Sequence, residues 1–340
     1  MDLGSEHVTR LEDLARIAGV SVATVSRALN DSSLVNLETK RRVWRIAQEH
    51  NYHFRPSMPT ELSSALATIV VVIPRPQGRM GKISDPFFQE LLGGIAEAAR
   101  ESGCDVLLSH MDPTNLEQLT SLMTAHRADG VIFLGQSFLH ERFNRLAENE
   151  KRFVVWGGSL PGQKYCSVGS DNAHGGARAT SHLIRLGRKH IAFFGDTRAP
   201  EVMQRYQGYQ QAHADAGLAI DPGLVLPAHF EIESAEASVD ALLSRGVSFD
   251  GIFAASDLIG LGAMRALMRS GRRVPEDVSV VGYDDVHLAA YSRPSLTTIS
   301  QNMKKAGRLM VSKLLKASPD DVLQSEFLPT DLIVRESCGS

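Results

Sequence analysis

The stretch LEDLARIAGVSVATVSRALN, residues 11–30, decides the first part of the fold. Leu11, Leu14, Ala15 and Ala18 recur at helical spacing until Gly19 interrupts the pattern ahead of Val20 and Ser21. This order predicts helix, tight turn, helix. Ser21 suits the N-cap of the second helix, because a serine hydroxyl accepts from an amide that the first turn leaves without a partner. That helix then runs through VATVSRALN to Asn30, with Val25 and Leu29 on the face that packs against the first helix. Val22, Ala23, Ser26 and Arg27 are left facing outward. A third helix, about residues 38–49, contributes Val43, Ile46 and Ala47 to the same small core, while Lys40, Arg41 and Arg45 meet solvent. Periodicity alone is also satisfied by an ordinary three-helix bundle with no ligand.

The chain has 340 residues, 43% of them hydrophobic and 22% charged, which suits a small module attached to a larger body of two lobes. No run of about 18 apolar residues occurs, so no membrane-spanning helix is expected. The polar N-terminus lacks the apolar centre and cleavage site of a secretory signal, which points to a cytoplasmic protein. Cys104, Cys166 and Cys338 are too few and too scattered for a disulfide framework or a zinc site, and neither a metal nor a cofactor is expected. A net charge of -3 argues against a general affinity for nucleic acid. Residues 1–56 carry eight Lys/Arg against seven Asp/Glu, so any DNA contact has to come from a local surface.

From Thr68 onward, short apolar runs alternate with helical stretches. TIVVVIP, CDVLLSH, DGVIFLG, RFVVWGG, KHIAFFG, DGIFAAS and VSVVGYDD have the character of strands, and helices are expected near 172–186 and 261–269. This βαβα order predicts parallel sheets covered by helices on both faces. In such sheets ligands collect beyond the carboxyl ends of the strands. The residues there include Trp156 and Gly157, Asp196, Ser256 and Asp257, and Asp284 and Asp285.

LEDLARIAGVSVATVSRALN and the following TKRRVWRIAQEHNY resemble the headpiece of the lactose/galactose repressor family. The resemblance implies that the helix beginning at Ser21 enters the major groove of double-stranded DNA. Val22 and Ala23 would read bases by apolar contact, and Arg27 would supply the polar readout. Arg10, Thr24, Ser26 and Asn30 complete the implied DNA-contacting set, the last three toward phosphates. Residues 57–67 would form the hinge. There the family's Asn-x-x-Ala-Arg-x-Leu wording is missing, and Pro56 and Pro59 stand close together. Either Ser57 caps a short helix that carries Leu62 as a minor-groove wedge, or the segment is an extended linker.

VGSDNAHGG, HLIRLGRKHIAFFG, RYQGY, FAASDLIGLGAMRAL, VPEDVSVVGYDD and PSLTTISQN resemble the regulatory core of the same family. The implied fold is a helix-turn-helix headpiece, 1–56, followed by a two-lobed core, 68–340, similar to periplasmic sugar-binding proteins. The N-lobe would span about 68–170 with 303–327, and the C-lobe about 171–299 with 328–340. An effector, most naturally a saccharide, would lie between the lobes, contacted by Arg205, Asp284 and Gln301, with Phe230 and Phe88 as aromatic walls. Ser256 stands where many members have asparagine, which leaves Asp257 as an anchor, and Trp156 is either a stacking platform or part of the core. Arg75, Arg79 and Lys82, in the long RPQGRMGKISDPFF segment, are either cleft residues or solvated loop charges.

The implied function is repression of carbohydrate-utilisation genes by a homodimer on a near-palindromic operator, under allosteric control by the effector. The chain ends after FLPTDLIVRESC without a leucine-rich tetramerisation helix, which favours a dimer. A purine or other metabolite is the alternative effector, and a sugar-transport component is the alternative function. An enzyme is disfavoured, since no Gly-x-Ser-x-Gly elbow, phosphate-binding glycine loop or metal-spaced histidine pair is present.

Overall fold

The computed structural model describes residues 11–29, 32, 34–49, 67–74, 84–136, 139–316 and 323–339. Arg10, Asn30, the hinge with Pro56, Ser57, Pro59 and Leu62, and the loop cations Arg75, Arg79 and Lys82 lie outside them. The chain divides into two compact units, Met1–Leu66 and Ala67–Ser340.

In the first unit, α1 (Leu11–Ala18), α2 (Val22–Leu29) and α3 (Leu37–Glu49) enclose a core of Leu14, Ala15, Ala18, Val25, Ala28, Leu29, Val35, Val43 and Ala47. Gly19 ends α1 because its φ of +64° is one that other residues adopt at a cost. Val20 N–H then donates to Ala15 O at 3.1 Å and Gly19 N–H to Arg16 O at 3.4 Å, which satisfies carbonyls the helix would otherwise leave open. Ser21 caps α2 by accepting from the Thr24 amide at 3.1 Å. The third helix begins at Leu37, slightly earlier than its periodicity indicates, because Asn36 caps it by accepting from the Thr39 amide at 2.8 Å.

The second unit opens with β1 (Thr68–Val72), α4 (Pro86–Glu101), β2 (Asp105–Ser109), α5 (Leu116–His126), β3 (Gly130–Leu134), α6 (His140–Ala147), β4 (Phe153–Trp156) and β5 (Cys166–Ser170). It continues through α7 (Asn172–Arg185), β6 (Ile191–Phe194), α8 (Pro200–Asp215), β7 (Val225–Leu226), α9 (Ile232–Ser244), β8 (Gly251–Ala254), α10 (Asp257–Arg269), β9 (Ser279–Asp284), α11 (His287–Tyr291) and β10 (Thr297–Ser300). The last elements are α12 (Met303–Lys316), β11 (Glu326–Leu328) and β12 (Asp331–Ile333).

Two sheets result, in the strand orders β11-β5-β4-β3-β1-β2 and β12-β10-β9-β8-β6-β7. All pairings are parallel except β12 against β10. The chain passes from one sheet to the other after Ser170, after Ser300 and between Leu328 and Asp331. Central strands β3 and β9 are buried along their whole length, as helices on both faces require, whereas β2 at the edge leaves Leu108 exposed. Helix α10 starts at Asp257, four residues before the position its sequence pattern indicates. Gly260 and Gly262, poor helix formers that blur the period, sit in its first turns because a Cβ at Gly262 would fall 2.4 Å from Ile232 O.

Glycine also sets the approach of α8. A Cβ at Gly176 would lie 2.1 Å from the Arg205 carbonyl oxygen, and one at Gly208 would lie 2.0 Å from Ala173 O. Helices α7 and α8 therefore meet backbone to backbone, and this contact carries Arg205 to the boundary between the sheets.

Candidate functional site

On the headpiece, α2 turns Val25, Ala28 and Leu29 inward and leaves Ser21, Val22, Ala23 and Arg27 exposed, with Thr24 and Ser26 half-buried. The Thr24 hydroxyl lies 2.8 Å from that of Ser21, so the two side chains sit together at the start of the helix. Six of the expected DNA-contacting residues are thus gathered on the outer face and N-terminal end of one helix. Arg10, Asn30 and Leu62 are outside the described residues.

The core holds a cavity of about 800 Å³. Phe88, Trp156, Arg205, Phe230, Ser256, Asp284 and Gln301 all line it. Asp257 does not line it and is fully buried, receiving the Thr298 hydroxyl at 2.5 Å and the Val286 amide at 2.9 Å. A Cβ at Gly282 would lie 2.3 Å from its Oδ1, so the neighbouring strand has to be glycine to admit the carboxylate. Asp257 therefore ties α10 to β10, and of these two neighbours only Ser256 lines the cavity. Ser256 is also the cap of α10, accepting from the Ile259 amide at 3.3 Å.

Arg205 is 4% exposed. Its guanidinium lies 3.7 Å from the centre of the Tyr283 ring, its Nε donates to Asn172 Oδ1 at 2.9 Å, and its Nη1 donates to Ala255 O at 2.5 Å. Asp284 Oδ1 is 3.7 Å from Nη1 and accepts from Gln301 Nε2 at 2.6 Å. Gln301 Oε1 in turn accepts from the Ser170 hydroxyl at 2.5 Å. Burial pushes the Asp284 carboxyl up to about 7, against the pull of Arg205. Burial also raises Asp257 well above the usual carboxylate range, and the neighbouring Asp284 adds to the effect.

Backbone strain marks the same place. Asp284 and Asp285 have φ values of +120° and +62° in succession. Non-glycine residues in such conformations cost on the order of 1–3 kcal/mol each, and glycine would remove that cost. Each aspartate instead supplies a side chain the fold uses, Asp284 to the cavity and Asp285 to Arg335 at 2.6 Å.

Trp156 has only 7% of its surface exposed and belongs to the core packed around β4, although it also lines the cavity. Phe87 joins it at a ring-centre distance of 6.0 Å and packs against Phe88 at 5.4 Å, so the aromatic wall is a cluster of three. Phe230 lines the cavity from the segment before α9. Asp196 is absent from the lining and binds Arg198 at 2.8 Å and His229 at 3.4 Å.

Sequence reasoning missed Phe87, Gln136, Ser170 and Asn172, all of which line the cavity. Gln136 stands two residues beyond the end of β3, so weighting the residues at strand ends would have found it. Its Nε2 donates to Gly158 O at 3.1 Å, while its Oε1 is buried and has no partner among the described residues. The space for this side chain exists because residue 157 is glycine, where a Cβ would lie 2.6 Å from Gln136 Oε1.

A helical headpiece that presents one capped helix outward, and a separate two-sheet body with a cavity at its strand ends lined by aromatic rings and a few buried polar groups, are the parts of a ligand-responsive DNA-binding regulator. Comparison with known proteins agrees. Residues 10–54 match the family model for bacterial regulatory proteins of the lacI family, and residues 180–338 match that for a periplasmic binding protein-like domain. The HTH-type transcriptional regulator CelR of Thermobifida fusca is 33% identical over 96% of this chain and 97% of its own length. The HTH-type transcriptional repressor PurR of Aliivibrio fischeri (strain MJ11) is 31% identical over 91% of this chain and 92% of its own. Among solved structures, a CelR–cellobiose complex superposes with a TM-score of 0.68 at 32% identity, covering 96% of this chain and 99% of that one.

The chain belongs to the lacI family of bacterial regulatory proteins. It is a DNA-binding transcriptional regulator with an effector-sensing core.

Proposed function

We propose that the protein is a cytoplasmic repressor of carbohydrate-utilisation genes that holds a near-palindromic operator as a homodimer and responds to a saccharide in the core cavity. The observation that carries this reading is the buried Arg205–Asp284–Gln301 group facing the cavity that Phe87, Phe88 and Trp156 also line. A guanidinium fork and a carboxylate match vicinal hydroxyls, and aromatic faces match the apolar faces of pyranose rings. The relatives agree in kind: CelR has been solved with cellobiose, and the curated relatives are transcriptional regulators rather than enzymes.

Two headpieces are needed to place recognition helices in successive major grooves. In the core, the short helix α11 exposes Leu288 and Tyr291, the latter 80% accessible, an apolar surface that a second copy would cover. No helix among the described residues is long and apolar enough to cross a membrane. A thermal-shift screen of the full chain against mono- and disaccharides, followed by operator binding with each hit, tests the reading. Stabilisation by a sugar that also changes operator affinity is expected. Stabilisation by purine bases and by no sugar would replace the saccharide with a purine. Sedimentation should give a dimer at micromolar concentration, and a monomer or tetramer would contradict that part.

A further inference from the structure

We infer that the cavity is selective for uncharged saccharides and rejects their phosphorylated and carboxylated derivatives. This inference rests on the saccharide reading above and sharpens it.

The described lining carries five carboxylates, Asp85, Glu201, Glu231, Glu233 and Asp284, against one guanidinium, that of Arg205, and the imidazole of His229. Arg205 spends two of its N–H donors on Asn172 and the Ala255 carbonyl and lies beside Asp284, which offsets its charge. His229 faces Asp196. In this described lining the carboxylates therefore outnumber the one guanidinium.

Hydrogen-bonding capacity points the same way. Asp284 and Glu233 supply acceptor oxygens to the described lining. A lining rich in acceptors requires a ligand rich in donors, which is what sugar hydroxyls provide. Phosphate and carboxylate groups replace a hydroxyl donor mainly with acceptors, and they bring a charge of the same sign as the excess on the described lining. Setting like charges together in a partly closed site costs several kcal/mol, about a hundredfold or more in affinity. The sensed molecule therefore precedes any phosphoryl transfer to the sugar or oxidation of it to an acid.

The test is calorimetric titration of the full chain with matched sets: glucose, galactose, maltose and cellobiose, each beside its 6-phosphate and its uronate. Where the neutral sugar binds, the anionic members should bind about a hundredfold more weakly at 50 mM salt, and the gap should shrink at 500 mM as screening increases. In the Glu201→Gln/Glu233→Gln variant the gap should narrow about tenfold or more, and retained operator binding and an unchanged circular dichroism spectrum will show that this variant is folded. An anionic member that binds as tightly as its neutral parent in the wild-type chain overturns the charge selection and leaves the saccharide reading standing. Failure of every neutral and anionic member to bind overturns both.

Discussion

Arg205 and Asp284 are buried together, and replacing Arg205 with alanine should expose how much each depends on the other. The substitution removes the bonds to Asn172 Oδ1 and Ala255 O, the contact with the Tyr283 ring, and the positive charge 3.7 Å from Asp284. Stripping one partner from a buried ion pair costs about 3–5 kcal/mol, much of it from the charge left behind. Asp284 can escape by taking a proton. Its carboxyl already sits at about 7 with Arg205 present, so without that cation it rises further. A raised carboxyl means that the folded chain holds a proton the unfolded chain releases at about pH 4, so stability falls as pH rises from about 4 toward 7. For the wild type this one group accounts for a decline on the order of 4 kcal/mol across that window, with Asp257 shifting in the same direction.

In the Arg205→Ala chain the decline continues above pH 7, so its deficit against wild type should be smallest near pH 5.5 and largest near pH 8.5. Adding Asp284→Asn removes the charge that needed Arg205 and should restore roughly 1.5–3 kcal/mol at pH 8.5, with little gain at pH 5.5. Urea unfolding of the full chain, followed by circular dichroism at both pH values, measures all four combinations. Equal deficits at the two pH values, or a double variant no more stable than Arg205→Ala at pH 8.5, would refute the assignment of Asp284 as a carboxylate held by Arg205.

Three other substitutions separate the parts of the molecule. Gly176→Ala should lower stability by about 3 kcal/mol, because its Cβ would fall 2.1 Å from the Arg205 carbonyl and α7 and α8 must separate; the urea midpoint should drop, and saccharide affinity should weaken as Arg205 moves. Ser21→Ala removes the cap of α2 and should cost about 1 kcal/mol, read as faster hydrogen exchange at the Val22–Leu29 amides with the core unaffected. Arg27→Ala should weaken operator binding by about 1–3 kcal/mol and relax preference at one base position, while leaving effector affinity unchanged; unaltered operator affinity would remove Arg27 from the interface.

The parts of the fold that were legible in the sequence are those set by local chemistry. The Gly19 turn, the Ser21 cap and the inward set of Val25 and Leu29 depend on neighbours within a few positions, and so do the apolar runs that become buried strands. What the pattern concealed arises from contacts distant in the chain. Gly260 and Gly262 made the start of α10 look like loop, yet they are glycine because other elements press against that helix. Phe87 reads as an ordinary helix residue until Trp156 packs beside it. Asp257 stands at a strand end, where ligand contact is expected, but the Thr298 hydroxyl, 41 positions away, turns its carboxylate into the protein. Polar residues at strand ends therefore mark the neighbourhood of the cavity, and only the packing decides which of them face it.

The same packing places the polar group where the two sheets are joined. Ser170 and Gln301 lie at two of the three passages between the sheets, and the Ser170 hydroxyl donates to Gln301, which donates to Asp284. A ligand hydroxyl that bonds to Asp284 Oδ1 has to share or displace the Gln301 amide, and that amide is part of the link between the passages. A ligand at Asp284 would therefore compete at a side chain that bridges two of the passages between the sheets. A ligand shifts a conformational equilibrium only by its difference in affinity for the two states. Asp284 is suited to generate such a difference, because its strained backbone and raised carboxyl make its environment sensitive to which donors surround it. The strain that glycine would have relieved at this position is thus kept where a ligand can act on it.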